Sequence, residues 1–344
     1  MKKLVIKDTL VAAIEEAQVP SVGADEVLIK VYSISVCGSD IHLFRGTYNG
    51  PRNYPILFGH EWAGEVVECG SKVTKLKKGD RVTGDCSKYC GTCSYCKIDK
   101  NVCEHIEKFG ITVDGASAEL IVRKEKYLYA LPDGLDFSLG SLTEPLAVSA
   151  NLIARIRRLA KDIGDKRILI CGAAGIGLGA ALQLKYQHGC QDITILEISD
   201  FRRNMAQKIG FKTIATLDKA AAGDGYSSLY GKDNFDIIIE TTGSAKVFPL
   251  VFDRIKPLGV IGTLGMLPEV GIPQKLIVLK ALTVIGSIGG TGYFHEVIDF
   301  INKHQGDIAP LITQKFKLFD IDSLEKGFEV ASRSDGSIKV QFEA

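Results

Sequence analysis

Along the first 145 or so residues, apolar and polar positions alternate in short runs cut by glycine. "DEVLIKVYSISVCG", from Asp25, alternates as a half-buried strand does. "EWAGEVVECG", from Glu61, and "GDRVTGDC", from Gly79, are shorter runs of the same kind. The period then changes: "ANLIARIRRLAKDIG", from Ala150, has helical spacing. "KRILICGAAGIGLGAALQLKYQHG" follows as strand, glycine turn and helix, "QDITILEISD" as a strand, and "FRRNMAQKIG" as a helix closed by Gly210. "FDIIIETTG" and "GVIGTLG" are short buried strands. Strands alternating with helices imply βαβ units and a parallel sheet. After "ALTVIGSIGG" the pattern predicts an amphipathic helix, "FHEVIDFINKHQG", and a short tail. The expected fold class is α/β: a β-rich first part, then a Rossmann-like doubly wound parallel sheet.

A chain of 344 residues exceeds what one core usually serves, so two domains are expected. The net charge of +1 argues against an extended nucleic-acid surface or an acidic-membrane surface. The longest apolar runs are strand-length, too short to span a bilayer. "MKKLVIKDTLVAAIEEAQVP" begins basic, but Asp8, Glu15 and Glu16 interrupt its apolar part. It reads as no signal peptide, and a cytoplasmic protein is expected. Cysteine changes this plain picture. Nine are present, and Cys86, Cys90, Cys93, Cys96 and Cys103 fall within eighteen residues. An odd number without a secretion signal disfavours a disulfide framework, and dense Cys-x-x-Cys spacing reads first as metal ligation.

The glycine turn is Gly172-Ala173-Ala174-Gly175-Ile176-Gly177. Between a strand and a helix, such a turn lets backbone N–H groups and the helix N-terminus face a pyrophosphate. Glu197 ends the next strand, placed to accept from the adenosine ribose hydroxyls and to repel a 2′-phosphate. The turn departs from G-x-G-x-x-G in carrying Ala174 at the second glycine. NAD is the expected cofactor, while Arg202 and Arg203 nearby are the residues that could instead hold the 2′-phosphate of NADP.

Cys90, Cys93, Cys96 and Cys103 offer four thiolates in one lobe; four filled positions leave no room for substrate, so a zinc there is structural. Buried free cysteines are the bland alternative. A nucleic-acid zinc ribbon is the functional rival, disfavoured by neutral charge and by Asp99 and Glu104 among the lysines. His60 and Glu61, taken alone, read as a packed imidazole beside an acid. Taken with Cys37 and Glu144, they offer the mixed donors of a catalytic zinc with an open position.

These stretches together resemble the zinc-dependent medium-chain dehydrogenases, in the polyol (sorbitol) and threonine dehydrogenase branch. The matching segments are "CGSDIH", "GHEWAGEVVECGSKVTKLKKGDRV", the cysteine lobe, "EPLAV" and the glycine turn, and the resemblance covers essentially the whole chain. It implies a GroES-like catalytic domain over 1–147, an NAD-binding Rossmann domain over 148–289, and a C-terminal segment, 290–344, returning to the catalytic domain. A cleft between the domains holding zinc and nicotinamide is implied, as is a homodimer or homotetramer. Carried over, Cys37 and His60 bind the catalytic zinc with Glu61 or Glu144. Ser39 hands on the substrate hydroxyl proton and His42 is a later station. Two zincs per chain and NAD are the implied cofactors.

Two departures stand out. The third and fourth lobe cysteines are separated by six residues where the family usually has seven, with Cys86 as a spare ligand. The arginine that sorbitol dehydrogenases tend to carry near the strand end is absent around Ile288–Gly290. That shifts the expected substrate toward another polyol or a cyclitol or aminocyclitol. The alternatives are an L-threonine-type 3-hydroxy amino acid dehydrogenase and, in another class, a non-enzymatic zinc-ribbon interaction protein. Phe44, Arg45, Tyr48 and the residues around Ile288 are pocket candidates, with ordinary packing or surface placement the favoured reading of each.

Overall fold

The computed structural model describes residues 1–160, 162–217, 226–231, 234–267 and 269–344. These form two compact units, Met1–Ala147 with Gly289–Ala344, and Val148–Ile288.

The first unit opens with the hairpin β1 (Lys2–Asp8) and β2 (Val11–Glu16), followed by β3 (Glu26–Ser35). Helix α1 (Gly38–Phe44) leads through β4 (Ile56–Leu57) to β5 (Glu61–Cys69) and β6 (Arg81–Gly84). The cysteine lobe lies between two-residue strands β7 (Ser87–Lys88) and β8 (Glu107–Lys108), before β9 (Leu120–Lys124) and β10 (Leu128–Ala130). Short α2 (Phe137–Gly140) precedes α3 (Thr143–Leu159), in which the boundary between the units falls.

In the second unit β11 (Ile168–Cys171), α4 (Gly175–His188), β12 (Ile193–Leu196), α5 (Asp200–Lys208) and β13 (Lys212–Ile214) alternate as the sequence pattern predicts. Then come β14 (Phe235–Glu240), α6 (Phe248–Arg254), β15 (Ile255–Thr263), α7 (Gln274–Leu279) and β16 (Thr283–Gly286). Among the described residues the sheet order is β13-β12-β11-β14-β15-β16, every pairing parallel. All residues of β11 and β12 are buried, as expected of central strands covered on both faces.

The last segment corrects one expectation. After α8 (Phe294–Lys303) the chain is no mere tail: it forms α9 (Gln305–Ile308), β17 (Ile312–Lys317), α10 (Ile321–Ser332) and β18 (Lys339–Glu343). β18 pairs antiparallel with β3 and parallel with β17, completing the path β10-β6-β5-β3-β18-β17. Phe328 of α10 and Phe342 of β18 pack edge-on against Phe58, with centroids 5.3 and 5.9 Å away. Such pairs add about 0.5–1.5 kcal/mol each beyond their buried area. The C-terminal residues are therefore part of the first unit's core.

Candidate active site

Cys37 stands where β3 gives way to α1. Its backbone is extended (φ −94°, ψ 155°), and its N–H donates to Asp40 Oδ2 at 2.9 Å, so Asp40 caps the helix from its third position. Asp40 Oδ1 accepts from the Gly59 N–H at 3.3 Å and lies 3.6 Å from His60 Nδ1. One buried carboxylate thus holds the backbone at both Cys37 and Gly59 and lays its charge beside the His60 ring, whose Nε2 lies 3.5 Å from Ser39 Oγ. Asp40 was missed in the sequence, although an acid three residues after an extended Cys at a helix start is a readable capping signal.

The donor atoms of Cys37, His60 and Glu61 all lie within 4.8 Å of one another. Glu144, in the first turn of α3, is buried at 4% exposure and is not part of that triplet, although its charge acts on both His60 and Glu61. Burial opposes charge on His60, but Asp40, Cys37 and Glu144 outweigh it and hold its pKa well above the usual imidazole value. An excess of negative charge around a buried imidazole is what a divalent cation would satisfy. Lys339 from β18, missed entirely in the sequence, is ion-paired with Glu61.

Ser39 is half-buried, whereas His42 is exposed, its Nδ1 2.9 Å from Thr47 Oγ1. Of the pocket candidates, two take the packing and surface roles that the sequence reading favoured for them. Phe44 is a core residue packed on Phe328, and the Arg45 guanidinium donates to Ser332 Oγ at 3.0 Å. Tyr48 is half-buried, and after burial itself the charges of Cys37, Cys86 and Asp40 raise its hydroxyl pKa. Ile288 is exposed.

The cysteine lobe has the geometry of a tetrahedron. Cys90 Sγ lies 3.9 Å from Cys96 Sγ and 3.6 Å from Cys103 Sγ, and Cys93 Sγ lies 3.9 Å from Cys103 Sγ. A disulfide would bring two sulfurs to about 2.05 Å; four Zn–S bonds of about 2.3 Å set them about 3.8 Å apart. Backbone N–H groups point at the sulfurs: Thr92 and Cys93 at Cys90, Cys96 at Cys93, and His105 at Cys103, all at 3.3–3.4 Å. The Thr92 and Cys93 N–H groups pull the Cys90 thiol down to about 5, favouring thiolate. The six-residue spacing is accommodated by 3₁₀ turns at Tyr95–Lys97 and Lys100–Val102. Cys86, the spare, is not among the four; it is buried beside Glu144, and burial first, then that carboxylate, raises its thiol pKa.

In the second unit the glycine turn joins β11 to α4. Gly172 has φ +102°, which only glycine adopts without strain. A Cβ on Gly177 would stand 2.0 Å from the Gly172 carbonyl oxygen, so α4 packs on the turn only through glycine. Ala174, by contrast, has φ −83° and ψ −177°, a conformation any residue adopts, so the backbone at this position does not itself require glycine. Gly175 and Ile176 open α4. Glu197, just past β12, accepts from the Ala173 N–H and the Ser199 N–H, each at 2.9 Å, and so faces the turn. Arg203 donates to the carbonyls of Glu197 and Ile198 at 2.7 Å and pairs with Asp200. Burial lowers the pKa of the half-buried Arg202, against the charge of Glu197.

Residues 23–133 match the alcohol dehydrogenase GroES-like domain family, and residues 175–303 the zinc-binding dehydrogenase family. The chain is 30% identical over 323 residues to the L-threonine 3-dehydrogenase of Protochlamydia amoebophila, covering 92% of each. It is 30% identical over 333 residues to the sorbitol dehydrogenase of Halalkalibacterium halodurans, covering 95% of this chain and 94% of that one. An alcohol dehydrogenase from Escherichia coli CFT073, solved with NADH, superposes with a TM-score of 0.87 at 25% identity, over 100% of this chain and 99% of that one.

Proposed function

This chain belongs to the zinc-dependent medium-chain dehydrogenase family, and from that premise we propose that it oxidises a secondary alcohol of a polyol or a cyclitol or aminocyclitol to the ketone. It is an oxidoreductase of the zinc alcohol dehydrogenase type, with zinc and NAD as cofactors. The observation that carries the reading is the clustering of the Cys37, His60 and Glu61 donor atoms within 4.8 Å of one another beside Ser39.

Cys37 and His60, with Glu61 or Glu144, would hold the catalytic zinc, and the four lobe thiolates the structural one. When bound, the catalytic zinc supplies a Lewis acid for the alcohol oxygen and NAD takes the hydride. The chain's own residues do the rest. Asp40 places its carboxylate charge 3.6 Å from His60 Nδ1 and so acts on the ring electrostatically. Ser39 receives the hydroxyl proton and His42, exposed to water, passes it on. Gly172, Ala174, Gly175, Ile176 and Gly177 form the pyrophosphate cradle, and Glu197 receives the adenosine ribose. NAD is favoured over NADP because the Arg203 donors are already engaged and Glu197 would repel a 2′-phosphate.

A threonine-type 3-hydroxy amino acid substrate is the second reading, favoured by the names of several relatives. Oxidation of polyols, cyclitols, aminocyclitols and threonine by the zinc-loaded enzyme with NAD separates the two. A homodimer or homotetramer is supported by β16, an edge strand of its sheet among the described residues, on which Val284 is exposed. No described helix is long and apolar enough to cross a membrane. Cysteines read as zinc thiolates and not disulfide-bonded suit a reducing cytoplasm.

A further inference from the structure

The chain leaves the second unit at Ile288 and enters the first at Gly289, and asparagines hold both sides of that junction. Asn151 Nδ2, on α3, donates to the Ile288 carbonyl at 3.2 Å. Asn101 exchanges two hydrogen bonds with Thr291: the Thr291 N–H donates to Oδ1 at 2.9 Å, and Nδ2 donates to the Thr291 carbonyl at 3.1 Å. Asn101 and Thr291 are 3% and 8% exposed, so water does not replace these bonds. Gly289 has φ +68°, and a Cβ there would stand 2.3 Å from Asn101 Oδ1. Position 289 therefore requires glycine on two counts, its φ and the close approach of Asn101.

Asn101 is in turn set by the cysteine lobe. It lies in the six-residue loop between Cys96 and Cys103. Asp99 Oδ1 accepts from its backbone N–H at 2.9 Å and from its Nδ2 at 2.8 Å, leaving the other amide hydrogen for Thr291. Metal on all four thiolates fixes both ends of this loop, and a six-residue loop with fixed ends and an internal cap has little freedom left. We propose that Asn101 is a positioning residue through which metal in the four-cysteine lobe holds the junction Gly289–Thr291, where the chain passes from the dinucleotide-binding unit into the first unit. The proposal rests on the zinc reading of the lobe given above and is independent of which alcohol is oxidised.

Amide hydrogen exchange across residues 286–293 tests it, with zinc content measured on the same samples. The forms compared are wild type, Asn101→Ala, Asn101→Asp, and each after removal of the lobe zinc. In the zinc-loaded proteins Asn101→Ala accelerates exchange at the junction by about tenfold or more, while β11 and β14 stay as protected as in wild type. Asn101→Asp keeps an acceptor for the Thr291 N–H but turns an oxygen on the Asp99 carboxylate and the Thr291 carbonyl, so it also accelerates exchange at the junction, and it carries the comparison if the alanine variant does not fold. Removing lobe zinc from wild type accelerates the junction similarly, but adds nothing further in Asn101→Ala. A junction that stays protected in the variants, or effects of zinc loss and variant that simply multiply, overturns the proposal alone. A lobe that binds no zinc overturns it together with the structural-zinc assignment.

Discussion

Lys339, on the last strand, is ion-paired with Glu61, the residue after His60, although 278 positions separate them. β3 stops at Ser35 and the chain turns away into α1, so the Lys339 side chain crosses the gap and also donates to the Val36 carbonyl at 3.0 Å. Burial opposes its charge, yet Glu61 and Cys37 raise its pKa above that of an ordinary lysine. Lys339→Met strands a buried carboxylate, which typically costs about 3–5 kcal/mol. Denaturant unfolding of chelator-treated enzyme should show that loss. In zinc-loaded enzyme the loss should be smaller, because the released carboxylate gains the metal as partner; equal losses would mean that Glu61 does not approach the metal.

Cys37→Ala and His60→Ala each remove one donor of the catalytic site while leaving the lobe untouched. Zinc content should fall from about two per chain to about one, with turnover lost and the unfolding midpoint little changed. A variant that kept wild-type activity would contradict the site assignment.

The turn makes a paired prediction. Gly177→Ala forces a Cβ to within 2.0 Å of the Gly172 carbonyl and should weaken NADH binding about tenfold or more, measured by fluorescence titration. Ala174→Gly should change affinity by no more than about threefold, because position 174 needs no glycine conformation. Equal effects would mean that the helix–turn approach does not shape the cofactor site.

Asp85, 2% exposed, has its carboxyl pushed up to about 6 from 3.8 by burial, against the Ser87 N–H and Thr291 hydroxyl. A raised folded-state pKa means that the native state keeps the proton longer. The associated stability is complete below about pH 4 and is lost as pH rises through about 6, in all about 3 kcal/mol. Asp85→Asn keeps an oxygen for the Ser87 N–H and cannot ionise. Wild type should therefore lose about 3 kcal/mol relative to this variant between about pH 4 and 7 in urea unfolding; parallel pH profiles would contradict it.

What the sequence made legible follows from range. The glycine turn, the cysteine spacing and the βαβ alternation are local patterns, and the fold class and the metal candidates could be read from them directly. Residues whose meaning depends on distant partners could not. Lys339 sits in "IKVQFEA" with nothing nearby to mark it as the partner of Glu61, and Asn101 meets Thr291 across 190 positions. β17 and β18 are six- and five-residue runs studded with lysine and glutamine, and their strand character comes from pairing with each other and, for β18, with β3. Phe44 and Arg45 could be read no further than as packing or surface beside a possible pocket, because α1 is too short for periodicity to separate its core face from its solvent face.

The central claim is hydride transfer from a secondary alcohol to NAD. Zinc-loaded enzyme mixed with NAD and, in turn, polyols, cyclitols, aminocyclitols and threonine, followed by the near-ultraviolet absorbance of NADH, tests it most directly. NADH formation with a polyol or cyclitol, abolished in His60→Ala, is the predicted result. NADH formation confined to threonine would replace the substrate class. No NADH with any alcohol, together with no binding of NAD, would contradict the account.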